Sequence, residues 1–356
     1  MKLIHCADLH LDSPMESNLT AEQAKERKNE ILGNFAKLVR MAEESRVAAI
    51  LISGDLFDSR HITKRTERYV LDLIRRHNRV FFFYLAGNHD KGSTLASLPR
   101  EERPENLCLF DEGWRSYRFG DVVITGSERP DLDTLSLKEN DLNILMLHGQ
   151  DTAERNAERS DLIRFRKLKN KHVDYLALGH LHSYRTARLD DRCTACYSGC
   201  MEGRGFDECG PKGYVLLEVE GNRIEHTFVP FARRELYTVP CDISGCTTRL
   251  SLEERVRAAV AKIPSASMVK LVLVGDCPAE QNKDVEYLRS MLAESFYFAK
   301  IADETHLLIR PEDYQNDISL KGDFVRRVMA SDLSEEERER VIACGFRALC
   351  SEEVEI

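Results

Sequence analysis

No stretch of this chain approaches the ~18–20 consecutive apolar residues of a membrane span. The opening residues, Met1-Lys2-Leu3-Ile4-His5-Cys6-Ala7-Asp8, turn polar too soon for a secretory leader. Both absences lead us to expect a cytoplasmic protein with no membrane partner. A surplus of positive charge is also missing: 51 Lys and Arg stand against 60 Asp and Glu, a net charge of −9. That balance argues against a protein that coats nucleic acid by bulk charge. It leaves room for a nucleic-acid enzyme, because metal ions and a local basic groove can offset a negative total. Internal repeats and low-complexity tracts are absent. The 11 cysteines have no small-scaffold spacing, so in a cytoplasmic chain they read as reduced thiols.

What is present is a soluble-protein composition, 42% hydrophobic and 31% charged over 356 residues, which is enough for about two domains. Short apolar runs alternate with amphipathic segments. Leu3 to Ala7, Val47 to Ile52 and Val80 to Leu85 read as buried strands, with helical patterns near Ala21 to Ser45 and Thr63 to Arg76 between them. This βαβαβ order predicts an α/β fold with a partly parallel core, whose ligands sit at the carboxyl ends of strands. Two further buried strands, Asn143 to Leu147 and Asp174 to Leu178, follow. Tyr184 to Leu189, Gly213 to Val219 and Arg223 to Val229 read as the second sheet of a two-sheet sandwich with helices outside. Composition shifts near Pro230-Phe231-Ala232-Arg233-Arg234. We therefore expect a main domain over 1–235, a smaller α/β domain over 236–312, and a helical tail over 313–356.

Polar side chains gather at the predicted strand ends: Asp8 and His10, Asp55, Asn88 and His89, His148, His180 and His182. A mixture of carboxylate, imidazole and amide suits a pair of mid-row divalent ions better than a structural zinc, which favours sulfur-rich closed sites. A two-ion site needs a bridging ligand, several further ligands per ion, and open positions for water and substrate. Eight candidates meet that need with one left for acid–base work. Imidazole is the best-matched general acid near neutral pH, and His89 directly follows a candidate ligand.

Asp8-x-His10, Gly54-Asp55, Gly87-Asn88-His89-Asp90, His148-Gly149 and Gly179-His180-x-His182, in that order, resemble the five motifs of the calcineurin-like metallophosphoesterases. The wider context resembles the SbcD-type repair nucleases. Asp8-Leu9-His10-Leu11-Asp12-Ser13-Pro14 is similar to their YhaO-like bacterial branch, and Tyr197-Ser198-Gly199 and Lys212-Gly213-Tyr214 look like that family's late strands. The resemblance implies a four-layer αββα sandwich with a second, smaller α/β capping domain. It implies two divalent metal ions, usually manganese. Asp8, His10 and His182 would hold one, Asn88, His148 and His180 the other, and Asp55 would bridge them. His89 would sit beside the scissile phosphate. Asp58 resembles the acid that orients the catalytic histidine in the broader family, where the archaeal and eukaryotic relatives carry a histidine. Hydrolysis of DNA phosphodiester bonds by metal-activated water, as an exonuclease or endonuclease, is the implied activity. DNA, an SMC-like (SbcC-type) coiled-coil ATPase and a second copy of the chain are the implied partners.

Other readings stand beside these. A phosphatase or phosphodiesterase on nucleotides or phosphoproteins would use the same motifs, and a regulatory scaffold is disfavoured because every ligand position is filled. Cys193, Cys196, Cys200 and Cys209 include a C-x-x-C spacing that suits zinc, but alternation along predicted strands already explains them. The basic stretch from Arg164 to His172, helix-like over Arg164 to Lys171, is either a solvated face or a phosphate contact. His5, His61, His172, His226 and His306 fall outside the motifs and read as ordinary, with His61 as a contact either to a metal-binding side chain or to substrate. The tail helices carry an apolar side (Val341, Ile342, Phe346, Leu349) that can dock a partner.

Overall fold

The computed structural model describes residues 1–15, 19–58, 62–90, 93, 95, 98–152, 162–278 and 283–349. His61 lies outside them. The chain divides into two compact units, Met1–Leu236 and Tyr237–Ile356.

The first unit is built on two six-stranded sheets. Its elements in order are β1 (Lys2–Cys6), α1 (Ala21–Glu44), β2 (Ala49–Ser53), α2 (Lys64–Arg76), β3 (Phe81–Leu85), β4 (Leu107–Leu109), β5 (Arg115–Phe119), β6 (Val122–Gly126) and β7 (Leu142–His148). Then come the short β8 (Gln150–Asp151) and β9 (Leu162–Ile163), β10 (Tyr175–Gly179), β11 (Arg185–Arg188), β12 (Thr194–Tyr197), β13 (Gly213–Glu220) and β14 (Arg223–Pro230). One sheet runs β14-β13-β1-β2-β3-β4 and the other β11-β12-β10-β7-β6-β5. The central strands of each are parallel, as βαβ connectivity requires.

Because side chains alternate across a strand, each central strand serves two cores, and its sequence therefore reads as one unbroken apolar run. In β2, Ala49 and Leu51 face the other sheet, while Ile50 and Ile52 face the helices. In β7, Ile144 and Met146 point into the inter-sheet layer, and Leu145 and Leu147 point outward. The helical layer is α1 and α2. Thr20 caps α1 in a reciprocal box with Gln23, and Thr63 caps α2 by accepting from the Thr66 amide. Their apolar stripes (Ile31, Phe35 and Leu38; Val70 and Ile74) bury against the first sheet.

Two placements differ from expectation. β13 and β14 extend the first sheet antiparallel from β1, instead of building the second; of the three strands assigned there, only β11 joins it. Alternation marks a strand as half-buried without saying which sheet edge it joins. The stretch 164–171 forms a single 3-10 turn, Phe165–Lys167, rather than a longer helix. Only Phe165 and Leu168 of its side chains are buried, over the outer face of the second sheet.

The second unit has its own core. β15 (Leu236–Asp242), β16 (Met268–Val274) and β18 (Phe298–Asp303) form a sheet, and Leu252 and Val256 of α3 (Arg249–Val260) and Leu288 and Leu292 of α4 (Val285–Ala293) pack against it. β17 (Asp276–Pro278) pairs with β19 (His306–Leu308). Then α5 (Leu320–Met329) and α6 (Glu335–Leu349) enclose a small cluster of Tyr314, Val325, Val328, Ile342 and Phe346.

Candidate metal centre

The carboxyl ends of β1, β2, β3, β7 and β10 converge. Just past those ends the backbone is forced into an unusual conformation. Asp8 (φ 53°), His10 (φ 44°), Asp55 (φ 53°) and His180 (φ 98°) are all left-handed although none is glycine. Such residues cost of order 1–3 kcal/mol each and persist only where the surroundings impose them. Here backbone hydrogen bonds impose them: the Asp8 amide donates to the Gly54 carbonyl (3.0 Å), and the His10 amide donates to the Asp55 carbonyl (3.0 Å). Glycine is needed where loops touch. Gly54 has φ 92°, and a Cβ there would overlap the His148 ring. A Cβ on Gly87 would overlap the Asp55 carboxylate and its backbone nitrogen.

The expected side chains meet at this point. Asp8, Asp55 and His10 are almost fully buried. The His10 and His182 Nε2 atoms stand 3.3 Å apart, and Asp8, His10 and His182 each place a ligand atom within one 4.8 Å cluster. Asp8, Asp55 and His148 form a second such cluster. Asn88 joins it, with its Oδ1 2.9 Å from His148 Nε2. His180 reaches it through an edge-on ring contact with His148, centroids 5.4 Å apart, while its amide donates to both Asp8 oxygens. Asp55 stands between the groups. Its Oδ1 accepts from the His89 amide at 2.8 Å. Its Oδ2 lies 3.3 Å from His148 Nε2 and 3.8 Å from His10 Nε2.

A third cluster brings His10, Asp58 and His89 together. The His89 ring packs edge-on against His10 at 4.9 Å and is exposed on the open side of the site. Asp58 is near His89 but not hydrogen-bonded to it.

Burial sets the electrostatics. It raises the Asp8 carboxyl to about 6. It lowers His10 to about 2, assisted by the positive charge of Arg204, so that ring is neutral. Burial also opposes charge on Asp55 and His148, but their mutual contact wins: His148 rises to about 9 and Asp55 falls well below the usual carboxylate range. Ligand atoms converge here in a buried space, where the proton that Asp55 holds on His148 is one a cation would displace, and among the described residues the buried His10 Nδ1 has no hydrogen-bond partner. Three imidazoles and two carboxylates facing one another, with an amide oxygen beside them, form a donor set that fits divalent cations.

Two residues have roles here that the sequence did not assign. Asp90, fully buried, accepts from the amides of Gly87 (2.8 Å), Phe57 (2.8 Å) and Leu56 (3.3 Å), tying the loop after β3 to the loop after β2. Its place inside the Gly87-Asn88-His89-Asp90 run was the available signal. Glu208 holds His182: its Oε1 is 2.6 Å from His182 Nδ1, and Arg204 binds the same carboxylate at 2.7 Å. Nothing local marks Glu208, which is 26 positions from its partner.

The cysteine reading is settled by strand geometry. Cys193 packs on the outer face of the second sheet and Cys196 on the inner one, so the pair cannot share an ion. Burial pushes both thiols up to about 12, and all ten described cysteines are free. His5 is likewise structural, buried against the Tyr175 hydroxyl at 2.9 Å. Among the described residues no helix is long and apolar enough to cross a membrane.

Fold and donor set together describe a metal-dependent phosphoesterase, and comparison with known proteins agrees. The model of the calcineurin-like phosphoesterase family matches residues 1–184, so the chain belongs to that family. It is 25% identical to the uncharacterized metallophosphoesterase YhaO of Bacillus subtilis, over 78% of this chain and 72% of that protein. It is 27% identical to the DNA double-strand break repair protein Mre11 of Aeropyrum pernix, over 84% of this chain and 80% of that one. A solved dimetal phosphatase from Danio rerio overlaps 64% of this chain and 99% of its own, at 10% identity and TM-score 0.39.

Proposed function

We propose that this chain is a two-metal phosphodiesterase that cleaves DNA, the nuclease subunit of a repair complex with an SMC-like coiled-coil ATPase. The observation that carries the reading is the position of Asp55. One carboxylate oxygen is spent on the His89 amide, and the other faces both His10 and His148, which is where a bridging ligand has to stand. Asp8, His10 and His182 would hold one ion, Asn88, His148 and His180 the other, with manganese as the preferred metal. What bound ions supply is Lewis-acid polarisation of the phosphodiester and generation of a nucleophile from water at neutral pH.

The chain's own residues do the rest. His89 hangs over the open side, anchored by its amide on Asp55, and donates a proton to the leaving oxygen. Asp58 lies beside it, where its carboxylate would orient the ring once the two hydrogen-bond. Similarity to relatives named for double-strand break repair supports DNA as substrate. The free thiols fit a reducing, cytoplasmic setting. Ile342 and Phe346, expected on the docking side of the tail, are buried in its own cluster, while Ile318, Leu320, Met329 and Val341 are exposed and would dock the ATPase. The α/β part of the second unit would cap the site and orient DNA, and the chain would work as a homodimer.

The test is a substrate panel with manganese: bis(p-nitrophenyl) phosphate, mononucleotides, and single- and double-stranded DNA, with and without the ATPase. Cleavage of DNA is expected. His89→Gln should keep manganese binding and lose about 10²–10⁴-fold in turnover. Hydrolysis of nucleotides with both DNA forms left intact in the partner's presence would end the nuclease reading. Full activity of the His89 variant would end the acid role.

A further inference from the structure

Beside the candidate metal centre lies a groove of about 420 Å³ on the second sheet's outer side. It begins where the metal centre ends. Gln150, two residues past His148, and Leu181, between His180 and His182, both line it. The Tyr197 hydroxyl in its wall donates to the Gly149 carbonyl at 3.0 Å. Arg166 and Lys169 line one side, and Arg185 and Arg188 of β11 the other.

Among the described residues, no carboxylate pairs with the cations of this groove. Arg188 donates to the backbone carbonyls of Asp190 and Asp191. The side chains of Arg166, Lys169 and Arg185 are exposed and, among the described residues, have no hydrogen-bond or ion-pair partner. By contrast, neighbouring cations are engaged: Lys167 on Asp133, Arg192 on Asp174, Arg204 on Glu208. Among the described residues the one lining carboxylate, Asp151, accepts from the Phe165 amide at 3.0 Å. Three exposed cations facing one groove, without a described carboxylate partner, make a local positive patch on a chain of net charge −9, and such a patch attracts and steers a polyanion.

We propose that this groove is a backbone track for the DNA strand that threads the metal centre. Arg166, Lys169 and Arg185 would neutralise successive phosphates on one side of the scissile bond. The proposal rests on the phosphodiesterase reading and adds a substrate-holding surface to it. Its chemistry also says how the strand is read. The two aromatic rings in the wall, Phe165 and Tyr197, are buried and offer no face on which a base can stack, so the groove recognises phosphates and is indifferent to sequence.

The test uses the full-length, manganese-loaded chain and fluorescence anisotropy with a phosphorothioate single strand across a range of salt. Each phosphate contact contributes about −0.7 to the slope of log K against log salt for single strands. The triple variant Arg166→Ala/Lys169→Ala/Arg185→Ala should flatten the slope by about 2. It should hydrolyse bis(p-nitrophenyl) phosphate, too small to reach the groove, at the wild-type rate. An unchanged slope overturns the track, and so does a wild type that hydrolyses the small diester but binds no strand. Failure of the wild type to hydrolyse any phosphodiester would instead defeat the catalytic reading, while the salt slope, which needs no turnover, still decides the groove. A triple variant slowed equally on the small diester would mean the three cations act on the metal centre, and that too overturns the track.

Discussion

Glu208 acts on this site through a histidine 26 residues away. A short contact to His182 Nδ1, 2.6 Å, selects the tautomer that leaves Nε2 free to face His10. Carboxylate partners of this kind usually orient a metal-binding imidazole and raise its basicity. Glu208→Gln keeps an acceptor but loses the charge that Arg204 and His182 share. We expect manganese affinity to weaken by about 10–100-fold, and the melting temperature of the metal-free chain to fall as well, because Arg204 is left without its carboxylate. Paramagnetic resonance of free manganese measures the first and calorimetry the second. Unchanged affinity would show that His182 is held by its backbone contacts alone: its carbonyl accepts from Lys212 Nζ at 2.7 Å.

Between elements, a buried tie is made by Arg27 on α1, which is 1% exposed. Its guanidinium donates to Glu30 (2.6 Å), Glu202 (3.1 Å) and the Gly203 carbonyl (3.0 Å). Asn34 donates to Glu202, and Arg234 closes on Glu30. The helix is thereby locked to the loop leading to Glu208 and to the chain after β14. A buried pair of this kind contributes little net stability when complete, but removing one partner strands a charge. Arg27→Met should therefore cost about 3–5 kcal/mol in urea unfolding. A loss below about 1 kcal/mol would mean that water reaches the abandoned carboxylates.

Across the whole molecule, the two units have separate cores, and all the candidate ligands lie in the first. Metal should therefore stabilise one unit selectively. At manganese about 100 times its dissociation constant, each occupied site adds about 2.7 kcal/mol to the unit that binds it. Scanning calorimetry should resolve an endotherm that rises by several degrees with manganese and falls with chelator, beside one that stays in place. Neither endotherm moving would mean that the donor set does not bind the ion.

Much of this was legible in the residues. Unbroken apolar runs such as Ile50-Leu51-Ile52 announced strands buried on both faces, and polar residues directly after them announced a site at strand ends. Both are local signals, read within a few positions. The edge joined by β13 and β14 was not legible, because alternation is the same in either sheet. Nor was the 3-10 turn at Phe165–Lys167, where a basic composition mimics a solvated helix face.

The sequence alone determined the chemistry available: carboxylates, imidazoles and one amide at the ends of buried strands, with glycines where loops must touch. Tertiary structure decided what each does. Close contact made Asp55 the residue between two groups, and burial made His10 neutral. Asp90 and Glu208 became the fasteners of loops that lie far apart in the chain. Those roles depend on distances between segments up to 172 residues apart, and only packing sets such distances.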